Sequence, residues 1–393
     1  MVALIAGGVI LSLALGIRQS FGLYLPPLSA ELGWGRETFA LAIAVQNLLW
    51  GLSQPAFGWL ADRWGGGRVI AGGALLYAAG LYLMGTTESA LELHFSAGLL
   101  IGLGLSGTSF AVVLGGVARA FPPERRSIAL GIASAGGSIG QFVMVPLGQQ
   151  FIAVYGWSGA LFVVAALSLV MVPLAAGLAG KPREAASEPA PLPAGRALAE
   201  AAGHRGYLYL TAGFFVCGFH ITFIATHLPA YLTDLEISAQ AAAMALALIG
   251  LFNIAGSLAC GYLGQRLSKK WVLAALYTVR GVAITAFILV PATPWTAYVF
   301  AAVMGLTWLG TVPLTSALVA QMFGPRYLGT LFGLVFLSHQ LGGFLGVWLG
   351  GRLYDVTGSY DVVWWLGVAL AALAALLHAP IDEKPVVREQ RAV

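Results

Sequence analysis

Long apolar runs fill almost the whole chain, broken at short intervals by glycine, proline and a few charges. Runs of this length match the roughly 20 apolar residues that a helix needs to cross a bilayer. Twelve are laid out at about 4–30, 38–62, 68–86, 93–119, 126–152, 157–179, 206–232, 239–264, 270–291, 295–321, 327–353 and 361–379. The pattern predicts an all-α membrane protein with twelve transmembrane helices. Residues 181–205 are rich in Pro, Ala and Glu and read as a cytoplasmic linker. The linker separates one six-helix half at 1–180 from another at 206–380, and a polar cytoplasmic tail follows at 381–393.

The two halves are pseudo-symmetric. At an offset of 202, Gly16 matches Gly218, Phe21 matches Phe223, Gly140 matches Gly342, Gly148 matches Gly350 and Gly156 matches Gly358. Phe121-Pro122-Pro123-Glu124-Arg125-Arg126, reaching Gly131, parallels Phe323-Gly324-Pro325-Arg326, reaching Gly333. A repeat of six helices implies two similar bundles with a path between them.

Composition sharpens this. Apolar residues are 59% of the chain and charged residues 9%, against about 25% charged in a soluble domain. The net charge of +4 is scattered over short loops, which argues against nucleic acid as a partner. With the N-terminus in the cytoplasm, inner loops and tail hold sixteen Lys and Arg and outer loops hold two, Arg36 and Arg352. That asymmetry places both termini inside. Met1-Val2-Ala3-Leu4 lacks the basic region of a signal peptide and reads as the start of the first spanning helix. Cys217 and Cys260 fall inside apolar runs and read as buried thiols. No nucleotide loop, metal cluster or catalytic pair is found, so neither an enzyme nor a cofactor or metal is expected.

The most specific stretch is Gly58-Trp59-Leu60-Ala61-Asp62-Arg63-Trp64-Gly65-Gly66-Gly67-Arg68, a short charged turn between two apolar runs. Gly58 permits close approach of another helix. Asp62 suits the positive N-terminal end of a neighbouring helix. Arg63 and Arg68 suit carboxylates or anionic lipid on the cytoplasmic side. The pattern G-x-L-A-D-R-x-G-x-x-R resembles the loop between helices 2 and 3 of the major facilitator superfamily of secondary transporters. The resemblance implies that Gly58, Asp62, Arg63 and Arg68 form a gating motif.

Arg125-Arg126-Ser127-Ile128-Ala129-Leu130-Gly131-Ile132-Ala133-Ser134-Ala135-Gly136-Gly137-Ser138-Ile139-Gly140 resembles the helix-5 signature of monocarboxylate transporters, with Ile128 for Leu the one departure within it. Arg18-Gln19-Ser20-Phe21-Gly22-Leu23-Tyr24 with Gly33-Trp34 resembles bacterial monocarboxylate and oxalate/formate-type carriers. The preceding Phe121-Pro122-Pro123-Glu124 lacks the family's Lys and is one residue longer. The family's Asp and Arg, four apart in helix 8, are replaced by Asn253 and Ser257, so the coupling carboxylate is missing. The G-P-x-x-G-G element of drug–proton antiporters is also missing from helix 5.

Two arginines fall inside helices. Arg280 lies about nine residues, or about 14 Å, into the ninth; Arg18 lies near the middle of the first. A lone intramembrane Arg costs about 2.5–3.5 kcal/mol on insertion scales, so it faces protein or water and has a partner. Asp234, Glu236, Asp355 and Asp361 fall in outer loops, and Glu37 and Glu92 at outer helix starts. An anionic substrate therefore fits the two arginines, since guanidinium holds a carboxylate by two parallel hydrogen bonds. For Arg280 the competing reading is a brace on backbone carbonyls. Tyr24, His220, Asn253, His339 and Gln340 complete the candidate substrate site. With no carboxylate at hand, His220 and His339 are the proton-coupling candidates; a packing role competes for each.

The expected function is secondary transport of small organic anions such as lactate, by alternating access with proton symport or anion exchange. The expected setting is a bacterial inner membrane, with lipid around a monomer. An exporter of amphipathic drugs or metabolites is the alternative. A non-transporting receptor on the same fold is disfavoured by the inner-loop motif.

Overall fold

The computed structural model describes residues 1–180, 194–324 and 328–386, and of these none is in a strand. The first part of the linker, the Pro325-Arg326 turn and the end of the tail lie outside the described residues. Among the described residues, ten stretches are long and apolar enough to cross a membrane. One of them, Ile128–Leu178, is two helices meeting at Gly156, whose φ of 70° ends the first. Arg36–Trp64 is as long as its neighbours but carries Gln46, Asn47 and Gln54. Counting these gives the twelve helices that the sequence predicts.

They are α1 (Val2–Leu23), α2 (Arg36–Trp64), α3 (Gly66–Gly85), α4 (Ala90–Ala120), α5 (123–155), α6 (157–178), α7 (Arg205–Asp234), α8 (Ala239–Arg266), α9 (Lys269–Leu289), α10 (Pro294–Phe323), α11 (Leu328–Thr357) and α12 (Asp361–His378). A further helix, Ala194–Gly203, lies within the stretch expected to be linker. The starts follow local chemistry. Ser89 and Glu92 form a capping box at α4, and Thr293 and Thr296 do the same at α10, with Pro294 opening that helix.

Four helices are broken, α6 among them at Leu169–Val170, upstream of Pro173. α1 passes through a 3-10 turn at Phe21–Leu23 before Leu25–Leu32. Pro26 and Pro27 explain this, because a proline ring clashes with the carbonyl four residues earlier. α10 breaks at Trp308–Gly310, upstream of Pro313, for the same reason. α4 has a π stretch at His94–Leu100 and an extended residue at Ser109.

Buried apolar side chains form two clusters. One comes almost wholly from α1–α6 and the other from α7–α12. Within each, one helix pair crosses at backbone contact. A Cβ on Gly140 of α5 would lie 2.0 Å from the Ser12 carbonyl oxygen of α1. A Cβ on Gly342 of α11 would lie 1.9 Å from the Phe215 carbonyl oxygen of α7, and one on Gly218 1.8 Å from that of His339. Glycines at the repeat offset thus do the same work in both halves, allowing the close approach on which helix association in lipid relies.

Between the clusters, α2 packs on α11 and α5 on α8. The end carrying the Arg36, Asp234 and Asp355 loops, assigned to the outside by charge, is closed by contacts across the halves. At the opposite end a Cβ on Gly58 would meet nothing within 4 Å. The close approach expected at Gly58 is therefore not made in this conformation.

Candidate functional site

Arg18 ends the first segment of α1, next to the break that Pro26 and Pro27 impose. It is 8% exposed. Its guanidinium donates to the side-chain oxygen of Asn47 and, at 3.3 Å, to that of Gln19. It sits over the indole of Trp50, 5.2 Å from the ring centroid. These partners are neutral, and Arg18 Nε has no partner at all. The ion pairs found among the described residues, Arg36–Asp234, Arg119–Asp62 and Arg352–Glu37, do not include it. A buried guanidinium with neutral neighbours and a free N–H is a cation without a counter-ion, the kind of group that pairs with an anion.

The other half supplies the facing wall. Gln340 donates from Nε2 to the Asn47 carbonyl at 2.9 Å. Phe336 meets Trp50 edge to face at 6.2 Å. The His339 ring stacks on Phe336 at 5.7 Å and contacts Phe214 at 4.9 Å. His339 Nδ1 bonds to Gln340 Oε1 at 3.0 Å. Arg18, His339 and Gln340 are thus brought together where the halves meet, with Asn47 and Trp50 between them. Sequence reasoning misses this role for Asn47. The available signal is a polar pair, Gln46-Asn47, inside an otherwise apolar run.

Arg280 is elsewhere. It is fully buried and faces the break in α10, where it donates to the carbonyls of Thr307 and Trp308, the latter at 2.7 Å. Cys217 Sγ lies 3.4 Å away and the Tyr277 ring 5.3 Å away. The freed backbone N–H of Leu309, at the same break, donates to Asn253 Oδ1 at 3.0 Å. In a membrane interior a helix break persists only if side chains satisfy its loose ends, and Arg280 and Asn253 do so. Asn253 also donates to Ser138 Oγ of α5 at 2.9 Å and accepts from Ser257 at 3.1 Å. The brace reading of Arg280 is the one the geometry supports, and Arg280 does not join the group around Arg18.

His220 bonds through Nε2 to the Gly367 carbonyl of α12 at 2.8 Å, away from Arg18, and its Nδ1 is unpartnered. Tyr24 is fully buried, its hydroxyl has no partner, and its ring meets Phe21 at 6.4 Å. Asp62 is 73% exposed at its side chain and 4.0 Å from Arg119, so it does not sit on a helix N-terminus. Arg63 lies over Trp59 at 5.4 Å, and Arg68 is exposed.

Sequence reasoning also misses the outer contacts. Asp355 from the end of α11 accepts from the backbone N–H groups of Arg36 and Glu37, at 2.9 and 2.8 Å. α2 has no cap of its own, since Gly35 precedes it; its cap comes from the other half. Arg36 pairs with Asp234 through both terminal nitrogens, at 2.8 and 2.7 Å. Glu37 pairs with Arg352 at 3.0 Å and accepts from Trp348 at 3.0 Å.

Known proteins resemble the chain along almost its full length. The family model described as Major Facilitator Superfamily matches residues 6–264 and 208–392. Monocarboxylate transporter 13 of Rattus norvegicus is 30% identical over 387 residues, covering 94% of this chain and 86% of that protein. Monocarboxylate transporter 11 of Mus musculus is 29% identical, covering 89% and 80%. The uncharacterized MFS-type transporter YcxA of Bacillus subtilis is 24% identical, covering 95% and 92%. Among solved structures, a bacterial homolog of the human lysosomal transporter Spinster, inward-facing and occupied, superposes with a TM-score of 0.78 at 15% identity, covering 95% of each chain.

Proposed function

The chain belongs to the major facilitator superfamily, and from that premise we propose that this membrane transporter carries small organic anions, monocarboxylates such as lactate, by alternating access of its two halves. The observation that carries the reading is Arg18, a buried cation at the junction of the halves with neutral partners and a free N–H. The names of the rat and mouse relatives agree with a carboxylate. Arg18 takes the carboxylate. Asn47 and Gln340 link the arginine to the opposite half, so that the ligand's charge is felt by both. Trp50 and Phe336 surround the apolar body of the substrate.

Transport is coupled by proton symport or by anion exchange. The membrane is a bacterial inner membrane, and the charge asymmetry of the loops supports an orientation with the tail at 381–393 and the linker at 181–205 in the cytoplasm. The halves at 1–180 and 206–380 then rock about the site as a monomer, with Gly58, Asp62, Arg63 and Arg68 closing the inner end.

The test is uptake of labelled lactate into proteoliposomes under an imposed pH gradient, with unlabelled mono- and dicarboxylates as competitors. Saturable uptake that is lost in Arg18→Gln and kept in Arg280→Lys is expected. Absence of competition by every carboxylate, in protein shown to be folded, would overturn the reading in favour of an exporter of amphipathic compounds.

A further inference from the structure

A chain of hydrogen bonds runs from the closed outer end into the membrane interior. It starts at Asp234, which holds Arg36 from across the halves. Arg36 donates from Nη1 to the Tyr360 hydroxyl oxygen at 2.9 Å. Tyr360 lies 3.0 Å from Nδ1 of His227, and His227 Nε2 lies 2.9 Å from the Val347 carbonyl. The direction of each bond follows from its donors. A guanidinium only donates, and a carbonyl only accepts. So His227 carries its proton on Nε2, and the Tyr360 hydroxyl donates to Nδ1. Burial holds the Tyr360 phenol well above its ordinary range, so it keeps the proton it donates. With a neutral ring, every member of the chain is satisfied.

A second proton on the ring breaks this order. Nδ1–H then points at the Tyr360 oxygen, so the hydroxyl proton loses its acceptor and has to turn away while the oxygen takes a second donor beside Arg36. The ring is fully buried, so water does not replace the missing partner. The groups around it offer no counter-charge. Its own helix contributes Tyr231 and Phe223, α11 the Val347 carbonyl and Gly350, and α12 Trp364 behind Phe223. α11 also places Tyr354 against Tyr360, and the charge at the end of the chain is Arg36, of the same sign, with Asp234 paired to it.

We propose that His227 is the proton site that sets the outer gate: neutral, it holds Tyr360 and Arg36 in the closed arrangement; protonated, it releases them, and the outer ends part. This rests on the alternating-access reading and deepens it by naming where a proton acts. Of the side-chain types in this gate, histidine is the one that ordinarily changes charge between pH 5.5 and 7.5. The other histidine at this end, His94, bonds to the Thr38 carbonyl within its own half at 3.1 Å and serves as the control.

The experiment uses the full chain in lipid nanodiscs without substrate. Spin labels go on Thr86→Cys and Gln240→Cys, both exposed and on opposite halves of the outer end; the native cysteines are buried. The ratio of long to short distances is read from pH 7.5 to 5.5. One group free to titrate only in the open form, with the ordinary value of about 6.5, raises that ratio about tenfold over this interval. The same rise is expected in His94→Gln and no rise in His227→Gln. Tyr360→Phe is expected to raise the ratio at every pH. An undiminished response in His227→Gln, or no response in the unsubstituted protein, overturns the proposal. Carboxylate uptake without the distance response overturns the gate alone. The distance response without carboxylate uptake overturns the substrate reading and leaves the gate standing.

Discussion

Replacing Arg280 by Met separates a brace from a ligand contact. The side chain is fully buried and satisfies the carbonyls of Thr307 and Trp308, which the break in α10 leaves without helical partners. Methionine fills similar volume and donates nothing. Each buried acceptor left unsatisfied costs about 1–3 kcal/mol, so the two together cost about 2–6 kcal/mol. Relocation of partners within the membrane reduces this toward about 0.6 kcal/mol per bond, so a loss of about 1–6 kcal/mol brackets the expectation. Lysine recovers part of it, because its ammonium reaches one carbonyl as a point charge but lacks the fork that serves two. The assay is reversible unfolding in mixed micelles, read by tryptophan fluorescence, alongside carboxylate affinity measured below the unfolding midpoint. The account expects lower stability and unchanged affinity in Arg280→Met. Unchanged stability with affinity reduced tenfold or more would refute it and make Arg280 a substrate ligand.

Other consequences follow from the packing. Gly218→Val places a side chain against the His339 carbonyl, where even a Cβ lies at 1.8 Å; α7 and α11 are forced apart, and the yield of monodisperse protein is expected to collapse. At Gly58 a Cβ meets nothing within 4 Å, so the stability of Gly58→Ala in this conformation is expected to stay within about 1 kcal/mol. Uptake is nonetheless expected to fall, because the bare glycine serves the state in which the inner ends meet; unchanged uptake would remove Gly58 from the gating motif. Asp355→Ala removes the cap that α2 receives from the other half. A cap is worth about 0.5–2 kcal/mol, so the outer-open to outer-closed ratio is expected to rise about twofold to thirtyfold, read by the same spin-label pair.

The number and order of helices are legible in the sequence because the bilayer sets a length that no loop matches. The glycine repeat at offset 202 is legible too, and the crossings at Gly140 and Gly342 show its physical basis. Helix rotation is not legible, because helices that are apolar nearly all round carry no directional pattern. Arg18 and Arg280 therefore look alike in sequence, as cations at similar depth. What distinguishes them is the break in α10. Its signal, Pro313 four residues after Leu309, is present in the chain, but Pro55 and Pro146 sit inside helices that continue, so proline alone does not decide. The outer clamp is illegible for another reason. Arg36, Asp234 and Asp355 are separated by about 120 residues or more at their closest spacing, and each reads alone as an ordinary loop charge.

The most direct measurement of the central claim compares a carboxylate with its uncharged twin. Lactate and lactamide differ at the group assigned to Arg18 and share the rest. Their inhibition constants for uptake are measured in the unsubstituted protein and in Arg18→Gln. A hydrogen bond to a charged group contributes about 1.5–3 kcal/mol, so the unsubstituted protein is expected to prefer lactate by about tenfold to a hundredfold or more. Arg18→Gln is expected to treat the two nearly alike. A preference that survives intact in Arg18→Gln would contradict the account and move the anion site away from Arg18.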